Sequence, residues 1–139
     1  MRRAEPRSDV CRLLVFYPTQ SLAREIAAWS VGRGDCRVEL VGARGVNEVR
    51  DAIRRADAVL VDATGDHGQA VDALVMALRA VGAAKTAVYT ERMHEGLEPF
   101  VRRQGVLLLL GPLHGAEWQG FFARFLPGRG RGESCRRAA

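Results

Sequence analysis

Lysine is almost missing from this chain: of its 21 basic residues, all but Lys85 are arginine. Glycine-rich phosphate loops are missing as well. No G-x-G-x-x-G follows an apolar run, which removes the dinucleotide fingerprint, and no G-x-x-x-x-G-K-[ST] occurs, which removes the P-loop. No G-x-S-x-G marks a hydrolase nucleophile. The three cysteines, Cys11, Cys36 and Cys135, make no C-x-x-C pair, so no metal site of that kind is read from them. No apolar run approaches the ~20 residues of a membrane helix. Val106 to Leu110, five apolar residues in a row, has the length of a buried strand. Residues 1–10 are charged and lack the apolar stretch of a signal peptide, so a cytoplasmic setting is the default expectation.

What is present suits one domain with one main core: 139 residues, 47% of them hydrophobic. The net charge of +5 is carried by the ends. Residues 1–8 hold three Arg and one Glu, and residues 127–139 hold four Arg and one Glu, whereas residues 9–126 hold 14 basic and 14 acidic residues. The expected organisation is a flexible basic segment over 1–9, a folded domain over 10–127 and a disordered Gly/Arg-rich tail over 128–139. Such a tail serves as an electrostatic arm for nucleic acid or an acidic partner, or is simply solvated. Nucleic-acid binding is not expected of the neutral body.

Apolar runs and helical patterns alternate from end to end. Leu13–Phe16, Cys36–Val41, Ala58–Val61, Thr86–Tyr89 and Val106–Leu110 read as five strands. Between them, helices are expected over about 21–31 (with Leu22, Ile26 and Trp29 inward), 47–55 (Val49, Ile53), 68–81 (Val71, Leu74, Val75, Leu78) and 99–104 (Phe100, Val101), and a last one over 116–126. Strands that are apolar at every position need cover on both faces. That describes a parallel sheet between helix layers: a single doubly wound, three-layer α/β/α domain with strand order 2-1-3-4-5. Cys11 and Cys36 open neighbouring strands, as a disulfide or as two reduced, buried thiols.

In open α/β sheets ligands bind beyond the carboxyl ends of the strands. The residues there carry the functional reading. Tyr17-Pro-Thr-Gln-Ser21 is rich in hydroxyls but lacks the glycine that would let amides curl round a phosphate, so Thr19 or Ser21 is read as a helix cap. The chain's three histidines, His67, His94 and His114, follow strands three, four and five, near Asp62, Asp66, Glu91 and Glu95. They compose a metal or acid–base site, with Asp66 as a fourth ligand, or are loop residues where helices begin.

Asp57-Ala-Val-Leu-Val-Asp62 places a lone carboxylate at the end of the third strand. Ala-Val-Tyr-Thr90 ends the fourth in a hydroxyl, and the fifth ends at Gly111-Pro112. This order resembles the receiver domain of bacterial response regulators, with its CheY-like, flavodoxin-like fold, over about residues 12–126. The resemblance implies that Asp62 matches the phosphoacceptor and Thr90 the switch hydroxyl. Phe16 and Tyr17 stand where the family has its metal-holding acids, and Gly111 stands where it has a lysine, with the proline after it retained as Pro112.

Phosphoryl transfer needs metal and cation to neutralise the charge on the equatorial oxygens. Asp62 alone is a poor magnesium site. The expectation is therefore a degenerate, non-catalytic receiver-like module without cofactor, with Tyr17 filling the pocket. It would act through contacts with a protein partner or a second copy, on the last strand and its flanking helices as in that family. The final helix carries Trp118, Phe121, Phe122 and Phe125 on a wide stripe. Either one or two of the rings, such as Phe121, face a partner or a second copy, or all four pack inward. The alternative function is a small-ligand or metal-binding flavodoxin-like domain, enzymatic or not, built on the three histidines.

Overall fold

The computed structural model describes residues 10–30, 36–42, 46–65, 67–92 and 95–125, the side chains of 46–49 and 67 excepted. The expectations placed on residues 1–9 and 128–139 lie outside the described residues. Along the chain run β1 (Cys11–Phe16), α1 (Gln20–Ser30), β2 (Cys36–Val41), α2 (Val46–Arg54), β3 (Ala58–Asp62) and α3 (His67–Val81). After a 3-10 turn at Ala83–Lys85 come β4 (Thr86–Thr90), α4 (Leu97–Arg103), β5 (Leu107–Leu110) and α5 (Gly115–Phe125). The five strands form one parallel sheet in the order β2-β1-β3-β4-β5, the architecture expected from the alternation of apolar runs and helical patterns.

β3 and β4 are buried at every residue because both faces are covered. Alternate side chains of the central strands enter two cores. Leu14, Phe16, Val59, Val61 and Val88 meet α2, α3 and α4 on one face, and Leu13, Val15, Leu60, Ala87 and Tyr89 meet α1 and α5 on the other. The edge strands β2 and β5 are less covered, and Leu40 and Leu110 are exposed.

Caps decide where several helices begin and stop. Thr19 Oγ1 accepts the Leu22 N–H at 3.1 Å, so Thr19 is the cap of α1. At α5 the Glu117 carboxylate reaches back to the His114 N–H at 2.7 Å, the return half of a capping box. Gly105, at φ 73°, ends α4: its N–H bonds to the Arg102 carbonyl, and the Val106 N–H to that of Val101. That pair is the Schellman closure, and only glycine takes the left-handed position at no cost.

Two helix faces differ from the periodic reading. In α3 the fully buried positions are Ala70, Ala73, Leu74 and Ala77, while Val71, Val75 and Leu78 are half-buried. Small side chains let α3 sit close to the sheet, so its centre line runs along the alanines. In α1, Leu22 and Ile26 are buried as expected, but Trp29 is 38% exposed and lies over the start of α5 at Gly115. Val49 lies outside the described side chains, whereas Ile53 is buried. Cys11 and Cys36 are register partners across β1 and β2 and are half-buried rather than buried.

Candidate functional site at the carboxyl edge of the sheet

Asp62 ends β3 with 2% of its surface exposed. Its Oδ2 accepts the Thr19 N–H at 2.9 Å and its Oδ1 accepts the Thr64 N–H at 2.8 Å. Both carboxylate oxygens are thus engaged by backbone amides, one from the loop after β1 and one from the loop after β3. Hydrogen bonds to a charged acceptor contribute about 1.5–3 kcal/mol each. The side chain thus ties two loops together through backbone amides.

Tyr89, on β4, crosses the edge beside it. Its ring is fully buried and stacks on Trp118, with centroids 6.2 Å apart. Trp118 in turn donates its Nε1–H to Glu25 Oε1 at 2.7 Å. The Tyr89 hydroxyl donates to Glu91 Oε2 at 2.5 Å, and Ser21 Oγ donates to the same oxygen at 3.2 Å. The Glu91 N–H donates to Thr64 Oγ1 at 3.0 Å, which links this group back to the loop that holds Asp62. Burial, the bond to Glu91 and the charges of Glu91, Glu25 and Asp62 all push the Tyr89 phenol far above its ordinary ionisation range. A Cβ placed on Gly111 would overlap the Tyr89 phenol. The position where the receiver resemblance puts a lysine therefore has no room for any side chain. Lys85, the sole lysine of the sequence, lies in the turn before β4, at the opposite end of that strand.

Thr90 is buried, and its hydroxyl serves the local turn, donating to the Arg92 carbonyl at 2.6 Å and accepting the Arg92 N–H at 3.1 Å. Tyr17 sits at φ 55°, unusual for a residue with a Cβ, and its N–H bonds to the Val41 carbonyl at 2.7 Å. Its ring lies 5.6 Å from that of Phe16 and packs on the α3 side of the sheet. Burial first, and the Asp72 carboxylate second, raise its ionisation point. The ring that closes the edge is thus Tyr89 and not Tyr17. The sheet's register decides this, because Tyr89 shares its face with the end of β5 while Tyr17 turns towards the other core. The amides of the Tyr17–Ser21 segment are not gathered for a phosphate either: those of Tyr17 and Thr19 bond to Val41 and Asp62.

The aromatic stripe is corrected as a contact surface. Trp118, Phe121, Phe122 and Phe125 are all between 0% and 3% exposed, so Phe121 faces its neighbours within the domain. Its ring lies 5.5 Å from that of Phe122 and 4.9 Å from that of Phe125. Of the histidine site, Asp66 and His94 lie outside the described residues, as does the side chain of His67. His114 is exposed at the start of α5. Among the described residues no three His, Cys, Asp or Glu side chains gather in a way that would hold a metal. The described donors also do not fit a magnesium ion, which takes carboxylate and water oxygens. Both oxygens of Asp62 already accept amide hydrogens, and Phe16 beside it is wholly buried in the core.

Tyr89 was not legible as a site residue. Alternation along β4 puts Tyr89 on the opposite face from Thr90. Only the pairing Tyr89↔Leu109 shows that its ring runs on to Gly111, two residues beyond Leu109 on the same face.

No protein-family model matches the chain, nor does any curated protein. Solved structures do. A pilus assembly-related protein from Burkholderia pseudomallei superposes with a TM-score of 0.65 at 17% identity, over 89% of this chain and 95% of that one. The receiver domain of a sensor histidine kinase from Pseudomonas aeruginosa, solved with a magnesium ion in its active-site cleft, gives 0.62 at 25% identity, over 84% and 98%. A CheY-like response regulator from Mesorhizobium loti gives 0.55 at 15% identity, over 80% and 94%. The fold is receiver-like, and none of the described helices is long and apolar enough to cross a membrane.

Proposed function

We propose that this chain is a receiver-like signalling module, cytoplasmic and non-catalytic, that works through protein contacts and takes no phosphoryl group on Asp62. One observation carries the reading: the space beside Asp62 is filled by the Tyr89 phenol, bonded to the Glu91 carboxylate and seated against Gly111. A phosphoryl group on Asp62 would bring further negative charge beside Glu91. Transfer chemistry depends on preorganised positive charge at that place. Whichever Asp62 oxygen attacked a phosphorus atom would do so while accepting an amide hydrogen bond, which draws electron density from it and makes it a weaker nucleophile. Thr90, bound into its own turn, has no spare proton to offer the product. The network therefore serves as a fixed plug that holds the edge in one conformation.

The protein contact falls to β5 and its flanking helices. β5 is an edge strand of four leucines, none fully buried, and Leu110 is 55% exposed. The fold alone does not choose the partner, since it is shared by signalling receivers and by a protein named for pilus assembly.

The test is intact mass after incubation with Mg²⁺ and acetyl phosphate, with Asp62→Ala as the control. The expected result is no phosphoryl adduct on either protein. An adduct on the wild type that the substitution abolishes would overturn the reading.

A further inference from the structure

α2 and α3 lie side by side, and towards their carboxyl ends they enclose a groove of about 360 Å³. Helices of a parallel sheet run against the strands, so this groove lies at the far end of the domain from Asp62. Arg50, Ile53 and Arg54 line it from α2, and Met76, Arg79 and Ala80 from α3. Ile53 is buried and Met76 half-buried, which makes the floor apolar, and the three arginines are exposed along its rim.

The rim arginines differ from their neighbours in their pairing. Arg55, next to Arg54, pairs with Glu39 at 3.6 Å, and Arg102 pairs with Glu98 in α4. Among the described residues none of Arg50, Arg54 and Arg79 has an ion-pair or hydrogen-bond partner for its guanidinium. Residues 9–126 hold equal numbers of basic and acidic residues, so three arginines around one groove, without an ion-pair partner among the described residues, do not follow from an overall excess. Asp72, the acid on the groove side of α3, stands two turns up the helix from Arg79, where its charge reaches Tyr17.

We propose that this groove docks an acidic amphipathic helix of a partner protein. Apolar side chains of the partner rest on Ile53, Met76 and Ala80, and its carboxylates meet the three guanidiniums. Arg50 and Arg54 are one helical turn apart, the same interval as carboxylates at i and i+4 of a docked helix. The planar guanidinium fork matches a carboxylate in two hydrogen bonds. A compact anion such as phosphate would leave the apolar floor unused. The chain's own end segments have the wrong sign, with an excess of arginine over residues 1–8 and 127–139. The proposal stands apart from the reading of the Asp62 edge, which shares no residue with it.

The probe is a synthetic helical peptide of about four turns, with leucines along one stripe and glutamates flanking it. It is titrated into the isotope-labelled full chain and followed by amide chemical shifts. Shifts confined to residues 50–54 and 76–80, saturating on the order of 100 μM, are expected. Arg50→Gln, Arg54→Gln and Arg79→Gln should each weaken binding by about two- to fivefold, and the triple Arg→Glu variant should lose it. Because the three side chains are exposed, the variants should keep the wild-type amide spectrum elsewhere. Equal binding of a peptide with glutamine in place of glutamate would overturn the proposal. So would shifts mapping outside the groove, absence of saturable binding, or inorganic phosphate moving the same amides at comparable concentration.

Discussion

Three helices cover one face of the sheet and two cover the other, and the side chains differ accordingly. Under α2, α3 and α4 the helix side of the core is made largely of Ala52, Ile53, Ala70, Ala73, Leu74, Ala77, Leu97 and Val101. Under α1 and α5 it is made of Leu22, Ile26, Trp118, Phe121, Phe122 and Phe125. Two helices leave more sheet for each to cover. Aromatic rings, which bury about 150–250 Å² apiece, supply that width. Three helices must crowd together, and alanines allow it. The stripe on α5 is therefore broad because its helix has few neighbours, and it needs no outside partner to explain it.

The largest expected effect tests this contrast directly. Phe122→Ala should cost about 3–5 kcal/mol in urea denaturation, because the thinly covered face cannot close the hole. On the crowded face the harmful direction reverses: Ala77→Leu should cost about 1–3 kcal/mol through overpacking. If the first change were nearly neutral, or the second stabilising, the two faces would not be built on different principles.

A smaller effect is expected where the ring-filled face meets the carboxyl edge. Gly111→Ala should destabilise by about 1–3 kcal/mol, since its methyl would overlap the Tyr89 phenol. In a Tyr89→Ala background the same change should cost less, by more than about 0.5 kcal/mol, which a double-mutant cycle measures. Additive costs would mean that Tyr89 does not occupy that space.

The gentlest probe is pH. Tyr17 and Tyr89, the chain's two tyrosines, both have their ionisation raised, Tyr89 by far the more. A group whose folded pKa lies above its unfolded value adds stability that is complete below the unfolded value, about 10 for tyrosine, and is lost as pH rises through the folded one. Absorbance near 295 nm should therefore show no ionisation centred at about pH 10 while the chain is folded, and stability should decline above that point. Ionisation of both rings at the ordinary value, with the fold intact, would break the contrast between the plugged edge and open solvent.

Much of the fold was legible locally. Five apolar runs and the helical spacings between them set the strands, their parallel order and most helix bounds to within a residue or two. The reasons are short-range: a period of 2 or 3.6, a cap at Thr19, a glycine stop at Gly105. Asp62, Thr90 and Gly111 were also identified as edge residues, because the ends of strands are visible in sequence. Their surroundings were not. Spacing on α5 showed four rings on one side, but not that one helix layer needed them all.

The amino-acid sequence by itself determined an alternating α/β chain, a lone carboxylate at the end of β3, and the lack of a lysine and of an acidic pair around it. Tertiary structure alone decided what stands there instead. Thr19 is 43 residues from Asp62 in the chain, and Glu91 is 70 from Ser21. Tyr89 meets Gly111 only because β4 pairs with β5 in one register. Periodicity is written into neighbouring residues. Contacts of this kind exist only once the sheet has brought distant strand ends to a common edge.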